Sequence, residues 1–406
     1  MRVDDPFFDV IVAGAGPAGS SSARQCAKAG LSTLLIDKDK FPRAKPCGGA
    51  VSEKALSYLD FSLPDELIEC ECLGARLCFK GQSIEVRKPR RVAVLVSRDR
   101  FDYFLLEKAK EAGALFKEGE RLTGLHVHDG LVEVSTDKGA YKALYLIGAD
   151  GVNSVAARHI RGPLKSEEKL FAMVCHMPAD DADIKKRLDG VIEVHLGAAC
   201  MGYGWVFPHR GYFSVGIGTL ASGSGNPYGE FRAFLRSAGF TAGTACCAKG
   251  PPAPATSGHF IPAGGAKKRR LASDRILLAG DAAGFVDPFI GEGIAYAILS
   301  GRLAGETVAE SINAKAPISS YEEKCEELIG RNLRYAWATT KIVHGFPGLF
   351  FPMFIRDESI VERYLELAGK GLDYKQFLKW LLLRLPRRRR ETCATGGNLN
   401  KDERIA

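Results

Sequence analysis

The sequence predicts an α/β protein with a parallel sheet, a β-rich domain inserted into it and a helical C-terminal region. Three observations predict this. The first forty residues read strand, glycine turn, helix, strand; the texture turns β-like from about residue 170 to 259; and the chain then returns to a short apolar strand, RILLAGD, and a long small-residue helix starting near Gly293. At about 150 residues per domain, 406 residues allow two or three domains, and 46% apolar with 26% charged residues is ordinary globular composition.

The opening unit is the clearest. DVIVA is a short apolar run, GAGPAG follows, SSARQCAKAG reads as a helix and STLLID as a second strand. Within it Gly14, Gly16 and Gly19 form G-x-G-x-x-G, with Ala15, Pro17 and Ala18 between them. The first glycine allows the tight turn, the second lets a pyrophosphate approach the backbone, and the third lets helix and strand pack closely. Pro17 suits a first helical turn, where its missing N–H is not needed. Asp37 ends the second strand where a carboxylate can accept from a ribose hydroxyl, and Lys38 follows it. A glycine turn without a ligand would leave Asp37 unexplained, so the unit is read as dinucleotide-binding.

A basic loop, DKDKFPRAKPCGGAVS, comes next, then a helix to about Leu59 and two or three alternating strands to about Val96. RDRFDYFLLEKAKEAGA places Phe101, Phe104, Leu105 and Ala109 at helical spacing, and the strand-like GLVEVST and ALYLIGAD lead to GVNSVAAR. The inserted region carries the runs FAMVCHM, GVIEVHL, YGWVFP and YFSVGIGTL, with one helix near Gly229 to Ala238. The expected domains are therefore nucleotide-binding over 1–165 and 260–315, and β-rich over 166–259 with strands near 70–97 contributing. A helical region over 316–390 and a disordered tail over 391–406 complete the chain.

Charge is uneven. The 56 Lys and Arg against 48 Asp and Glu give +8, but residues 375–390, KQFLKWLLLRLPRRRR, hold seven bases and no acid. The remainder is near neutral, and aromatic interleaving is slight, which argues against a nucleic-acid surface. Trp380 and the leucines from Leu378 to Leu385, with Lys375, Lys379, Arg384 and Arg387–Arg390, suit an interfacial helix on anionic lipid. The alternative is a terminal helix that packs its apolar face on the protein. GFPGLFFPMFI at Gly345 to Ile355 is read as closing a cavity, touching a membrane or lying in the core. No run supplies the roughly 20 apolar residues of a spanning helix. Eleven cysteines, without C-x-x-C pairs, argue against a disulfide framework or structural zinc. The acidic N-terminus is unlike a signal peptide. A reduced, cytoplasmic protein is expected, with the basic tail allowing a peripheral position at the inner face of the cell membrane.

Two further motifs share the strand-to-turn logic. ILLAGDAAGFVDPFIGEG ends an apolar strand at Gly280-Asp281, and its turn passes Pro288, Gly291 and Gly293 into a helix at Ile294. LIGADGVNSVAAR does the same at Asp150-Gly151, with Ser154 and Arg158 following. A carboxylate at a strand's C-terminal end can hold ribityl hydroxyls, and a helix N-terminus favours negative charge. In order and spacing the three motifs resemble the Rossmann-type FAD-binding domain of the p-hydroxybenzoate hydroxylase class of flavoproteins. Arg98 matches that class's R-x-x-F-D-x-x-L pattern, where the arginine commonly reaches FAD.

On the substrate side, PCGGA at Pro46–Ala50 resembles the P-x-C-G-G-G loop of geranylgeranyl reductases, which lies against the flavin and assigns Cys47, Gly48, Gly49 and Ala50 to the cofactor. YGWVFP at Tyr203–Pro208 resembles the Y-x-W-x-F-P core of the motif that lines the isoprenoid cavity in that family. Tyr203, Trp205 and Phe207 alternate, so they share one face of a strand, and Pro208 is grouped with them as substrate-binding. Ala50 replaces the usual third glycine, and Cys200 stands where the motif's leading proline is expected.

The resemblance implies reduction of isolated carbon–carbon double bonds by FADH₂ in a geranylgeranyl lipid, quinone or diphosphate, with hydride from flavin N5 and a proton from Cys47, Tyr203 or an ordered water. The electron donor is NADPH or a ferredoxin-type iron–sulfur protein. Alternatives are a flavin-dependent monooxygenase or halogenase, whose W-x-W-x-I-P motif YGWVFP echoes loosely, and a membrane-associated electron-transfer flavoprotein. His176, His195 and His209 are read as surface or satisfied core, and no metal site is expected.

Overall fold

The computed structural model describes residues 6–223, 225–240, 256–369 and 371–385. Its larger sheet runs, in order, Ala272–Ser273, Ile276–Leu278, Ala140–Gly148, Phe7–Ala13, Thr33–Asp37 and Leu115–Glu118, with the hairpin Leu122–His128 and Leu131–Thr136 joined to Ala140–Gly148. The four inner pairings, from Ile276–Leu278 across to Leu115–Glu118, are parallel. Parallel strands must be covered on both faces, and Val10, Ile11, Val12, Leu34 and Leu35 are fully buried. The helix Pro17–Lys28 packs on the helix Ile294–Ala314, and the small residues of the latter explain how closely. A Cβ on Gly301 would overlap the Ala18 backbone, and the Ser22 hydroxyl donates to the Gly301 carbonyl at 3.0 Å.

The second sheet runs Ser257–Pro262, Lys169–Pro178, Tyr212–Leu220, Tyr203–His209, Val191–Leu196, Gly74–Phe79 and Gln82–Arg87. Only the pair Val191–Leu196 with Gly74–Phe79 is parallel. Two strands from the 70–97 stretch thus complete the sheet, while Cys70–Cys72 and Ala93–Leu95 join Ala50–Ser52 in a small third sheet. The expected boundary at 259/260 runs through the strand Ser257–Pro262, which pairs along Lys169–Pro178. Chain continuity within one ladder therefore carries the second sheet to Pro262.

Five C-terminal helices lie between Ser320 and Leu383, beside one π-helical turn at Glu326–Gly330. The last three of them, Pro347–Phe354, Glu358–Leu367 and Tyr374–Leu383, gather on Phe289, whose ring meets Phe354, Tyr364, Tyr374 and Phe377 at centroid distances of 5.9 to 6.3 Å. Of the two readings of residues 375–390, packing on the protein holds for most of the apolar face of the described helix. Phe377 and Leu381 of the helix Tyr374–Leu383 are fully buried in this cluster, and only Leu382 and Leu383 of its apolar residues are exposed. The Arg387–Arg390 run and the tail 391–406 lie outside the described residues. In GFPGLFFPMFI, Phe350, Phe351 and Phe354 are core, whereas Phe346 and Leu349 are exposed. Among the described residues no helix is long and apolar enough to cross a membrane, and Cys26, Cys47, Cys70, Cys72, Cys78, Cys200 and Cys325 are free thiols. Cys246, Cys247 and Cys393 lie outside the described residues.

Candidate functional site

The C-terminal ends of the parallel strands open on a cavity of about 960 Å³ that continues between the two large sheets. Two helix N-termini face it, at Gly16-Pro17 and Gly293-Ile294. Neither helix has a capping side chain or an acid in its first turn, so their leading amides and positive dipole ends remain free for an anionic ligand. Gly14 takes φ +97°, and a Cβ on it or on Gly19 would run into main chain at Ala149 or Gly14. Asp37 stands at the rim, where its Oδ2 accepts from the Ala15 amide at 2.6 Å and burial raises its pKa. Asp150 accepts from the Val155 amide at 2.6 Å, while its other oxygen is buried without a partner. Asp281 is drawn in two directions: burial raises its pKa, and Lys45 and Arg98 oppose the rise.

The basic loop supplies Lys45 and Arg43, and the helix Arg98–Glu111 supplies Arg98. Burial lowers the Lys45 pKa to about 8, an effect that Asp281 partly offsets and Arg98 reinforces. Arg98 grips the fully buried Asp102 through Nε at 2.8 Å and Nη2 at 2.9 Å, and Arg43 reaches the same carboxylate at 3.0 Å. Burial works against the Arg98 charge but Asp102 outweighs it, and the guanidinium also hydrogen-bonds the Cys47 sulfur. His259 is the counterpart: burial and then the surrounding lysines and arginines push its pKa down to about 4. A cavity with two uncapped helix ends, three cations and a rim carboxylate fits the diphosphate and sugar hydroxyls of FAD.

The other half of the cavity is apolar. Tyr203, Trp205 and Phe207 share one face of their strand, with successive ring centroids 6.4 and 6.3 Å apart. Their partners on the next strand are Gly218, Gly216 and Ser214, so small residues lie across from each ring. A Cβ on Gly216 would overlap the Trp205 indole. Val174, Val194, Ile192 and Leu170 extend the lining, and Tyr364 and Leu365 close it from the C-terminal helices. The PCGGA loop lies where the two halves meet. A Cβ on Gly48 would stand 2.7 Å from the Phe207 ring, and the buried Trp205 Nε1 beside it has no partner.

Most of the expected site residues line this one cavity: Gly14, Gly16, Pro17, Ala18, Asp37, Lys38, Cys47 to Ala50, Arg98, Asp150, Gly151, Tyr203, Trp205, Phe207, Asp281, Pro288, Gly291, Gly293 and Ile294. Four do not. Pro208 lies on the opposite face of its strand, because the period of two that turns Phe207 inward turns its neighbour away. Ala15, Gly19 and Gly280 act behind the wall: Ala15 through its amide to Asp37, Gly19 by admitting the Gly14 carbonyl, and Gly280 by its closeness to Ala18. Sequence reasoning missed Lys45 and Arg43 as site residues, although the basic loop was the signal. It also missed Tyr364, for which a residue in a C-terminal amphipathic helix offers no signal. His209, read as satisfied core, is 3% exposed and bonds Gly48.

Comparison with known proteins agrees with the geometry. The FAD binding domain family model matches residues 8–336. A digeranylgeranylglycerophospholipid reductase of Methanococcus vannielii is 32% identical over 343 residues, covering 80% of this chain and 84% of that protein. A menaquinone reductase of Mycobacterium tuberculosis is 32% identical over 330 residues, covering 75% and 77%. A solved geranylgeranyl bacteriochlorophyll reductase-like protein of Thermoplasma acidophilum superposes with a TM-score of 0.77 at 24% identity, over 94% of this chain and 97% of that one, and so shares the fold.

Proposed function

For a chain that belongs to the geranylgeranyl reductase family of FAD-dependent oxidoreductases, we propose reduction of isolated carbon–carbon double bonds in the geranylgeranyl chain of a lipid, quinone or diphosphate. The observation that carries this reading is the aromatic face of Tyr203, Trp205 and Phe207 meeting the Cys47–Ala50 loop at the junction of the polar and apolar halves of the cavity. Bound FAD, when reduced, supplies the hydride equivalent to one alkene carbon. The chain's residues do the rest. The aromatic rings and the aliphatic lining hold an apolar chain and exclude water, so that the alkene keeps one orientation. Cys47 delivers the proton to the second carbon and regains one from solvent. The Tyr203 hydroxyl is less suited, because its hydrogen is directed at the Ile290 carbonyl at 2.8 Å and burial raises its pKa well above the usual value. NADPH or a ferredoxin-type protein is the reductant.

A substrate of this kind resides in a bilayer, and the exposed Phe346, Leu349, Leu382 and Leu383 with the basic run Arg387–Arg390 support docking on an anionic membrane surface. The reaction is tested by incubating purified protein without oxygen with reduced FAD and a geranylgeranyl phospholipid or diphosphate, then weighing the product. Gain of one H₂ per double bond is expected. No mass gain on any isoprenoid, together with rapid oxygen consumption in air, would transfer the chain to the oxygen-using flavoproteins.

A further inference from the structure

The three carbonyls of residues 47–49 are each held from the protein side. Ser214 Oγ donates to Cys47 at 3.5 Å, the Val96 amide to Gly49 at 2.9 Å, and His209 Nε2 lies 2.9 Å from the Gly48 oxygen. The third of these constrains protons. A carbonyl oxygen only accepts, so Nε2 must carry a hydrogen. Nδ1 of the same ring lies 2.6 Å from Glu69 Oε2, and that contact needs a second hydrogen, on the imidazole or on the carboxyl. The pair therefore holds one proton more than a neutral histidine beside a carboxylate. The surroundings favour the imidazolium form: Tyr212 OH donates to the same Glu69 oxygen at 3.3 Å, and its ring stacks on His209 at 4.6 Å.

We propose that His209, oriented by Glu69, is a positioning residue that clamps the Gly48 carbonyl and sets the Cys47–Ala50 loop against the aromatic wall. The Nε2 hydrogen holds the carbonyl; a ring without it would turn a lone pair toward the carbonyl lone pairs, and the contact would be repulsive. Gly49, at φ +80°, leaves the room the ring needs, since a Cβ there would stand 2.7 Å from the His209 Cε1. The titratable and charged groups around the pair are Tyr212, Asp99 at the start of the helix Arg98–Glu111, Arg210, which donates to the Ile68 carbonyl, and His176. Burial, and then the proximity of His209, lowers the pKa of His176.

The test reads the loop rather than turnover, so its failure and the failure of the proposed reaction are distinguishable. Amide exchange of the peptide spanning residues 44–52 is followed in the full chain without FAD, corrected for intrinsic rates, at one pH. His209→Ala is expected to lose protection about tenfold relative to wild type. His209→Gln places an amide hydrogen near the same carbonyl and is expected to restore protection. In parallel, iodoacetamide labelling of Cys47, read by mass spectrometry against the exposed Cys200, should be faster in His209→Ala than in His209→Gln. A folded His209→Ala with wild-type protection would overturn the clamp. So would His209→Gln with no more protection than His209→Ala; if His209→Ala does not fold, wild type against His209→Gln decides, equal protection supporting the clamp and a loss of about tenfold overturning it.

Discussion

The Tyr203 hydroxyl donates to the Ile290 carbonyl across 2.8 Å and so ties the aromatic wall of the second sheet to the glycine turn that starts the helix Ile294–Ala314. A Cβ on Gly291 would overlap that hydroxyl, so turn and ring are fitted to each other. Tyr203→Phe removes this bond and should cost about 1 kcal/mol of stability. Because the proton is assigned to Cys47, Tyr203→Phe should slow anaerobic alkene reduction by less than about tenfold, and Cys47→Ala by about a hundredfold or more. Flavin absorbance should survive in both. The reverse order of the two effects would move the donor to Tyr203.

Gly19→Ala should yield protein without flavin. The added methyl overlaps the Gly14 carbonyl and forces the turn away from the helix end that receives the cofactor's phosphates. The ratio of flavin to protein absorbance after purification checks this. Trp205→Ala, by contrast, should keep the flavin and lose alkene reduction.

FAD binding should take up a proton at alkaline pH. In the folded protein without FAD, Lys45 has a pKa of about 8 against 10.5 for the ordinary side chain, so it is largely neutral in the upper part of that interval. An anionic diphosphate favours the ammonium form, and affinity should fall as pH rises from about 8 toward 10.5. Without FAD the sign is opposite for stability. The unfolded chain binds the extra proton across that window, so the fold gains stability relative to Lys45→Met as pH rises through it. Titration calorimetry in two buffers of different ionisation enthalpy measures the uptake, and Lys45→Met should abolish it.

Asp287 gives a second linkage. Burial lifts its pKa to about 6, and Lys54 and the bonds from Phe289, Ile290 and Tyr374 only partly oppose the rise. The folded state then binds a proton that the unfolded state releases between about pH 4 and 6, so this group's contribution to stability falls as pH rises through that window, by about 3 kcal/mol in all. Asp287→Asn keeps the accepting oxygen and removes the titration. Urea melts of both proteins from about pH 4 to 7 should differ in slope by this contribution.

Removal of residues 386–406 should leave the fold and bound FAD intact and weaken binding to anionic liposomes in a sedimentation assay. Removal from Lys375 onward is a different experiment, because it deletes Phe377 and Leu381 from the core, and it should give insoluble protein. Unchanged liposome binding by the shorter deletion would remove the membrane role of the basic run.

The nucleotide end of the site was legible in sequence because its signals are local. The glycines lie within one turn, and Asp37 ends the strand that follows. The aromatic face was legible for a similar reason: a period of two in a strand determines which side chains share a side, and it equally shows that Pro208 cannot join them. Interactions such as the Asp281 charge acting on Lys45, or the contact of His209 with Gly48, join positions more than 150 residues apart, and no spacing rule reaches them. The helix Tyr374–Leu383 shows a third limit. An amphipathic helix has the same pattern whether protein or lipid covers its apolar face, and only the aromatic ring of Phe289 decides between them here.

The Tyr374 hydroxyl bonds Asp287 Oδ1 at 2.9 Å, in the turn whose next residue, Pro288, lines the cavity. Protein synthesis runs from the N-terminus, so the glycine turn emerges from the ribosome long before the helix that steadies the opposite wall. The cofactor's first contacts are thus available early, but its pocket is complete only once the helix Tyr374–Leu383 has emerged. Nascent chains stalled before Tyr374 should accordingly hold flavin poorly, which makes cofactor loading a checkpoint on the docking of the C-terminal helices.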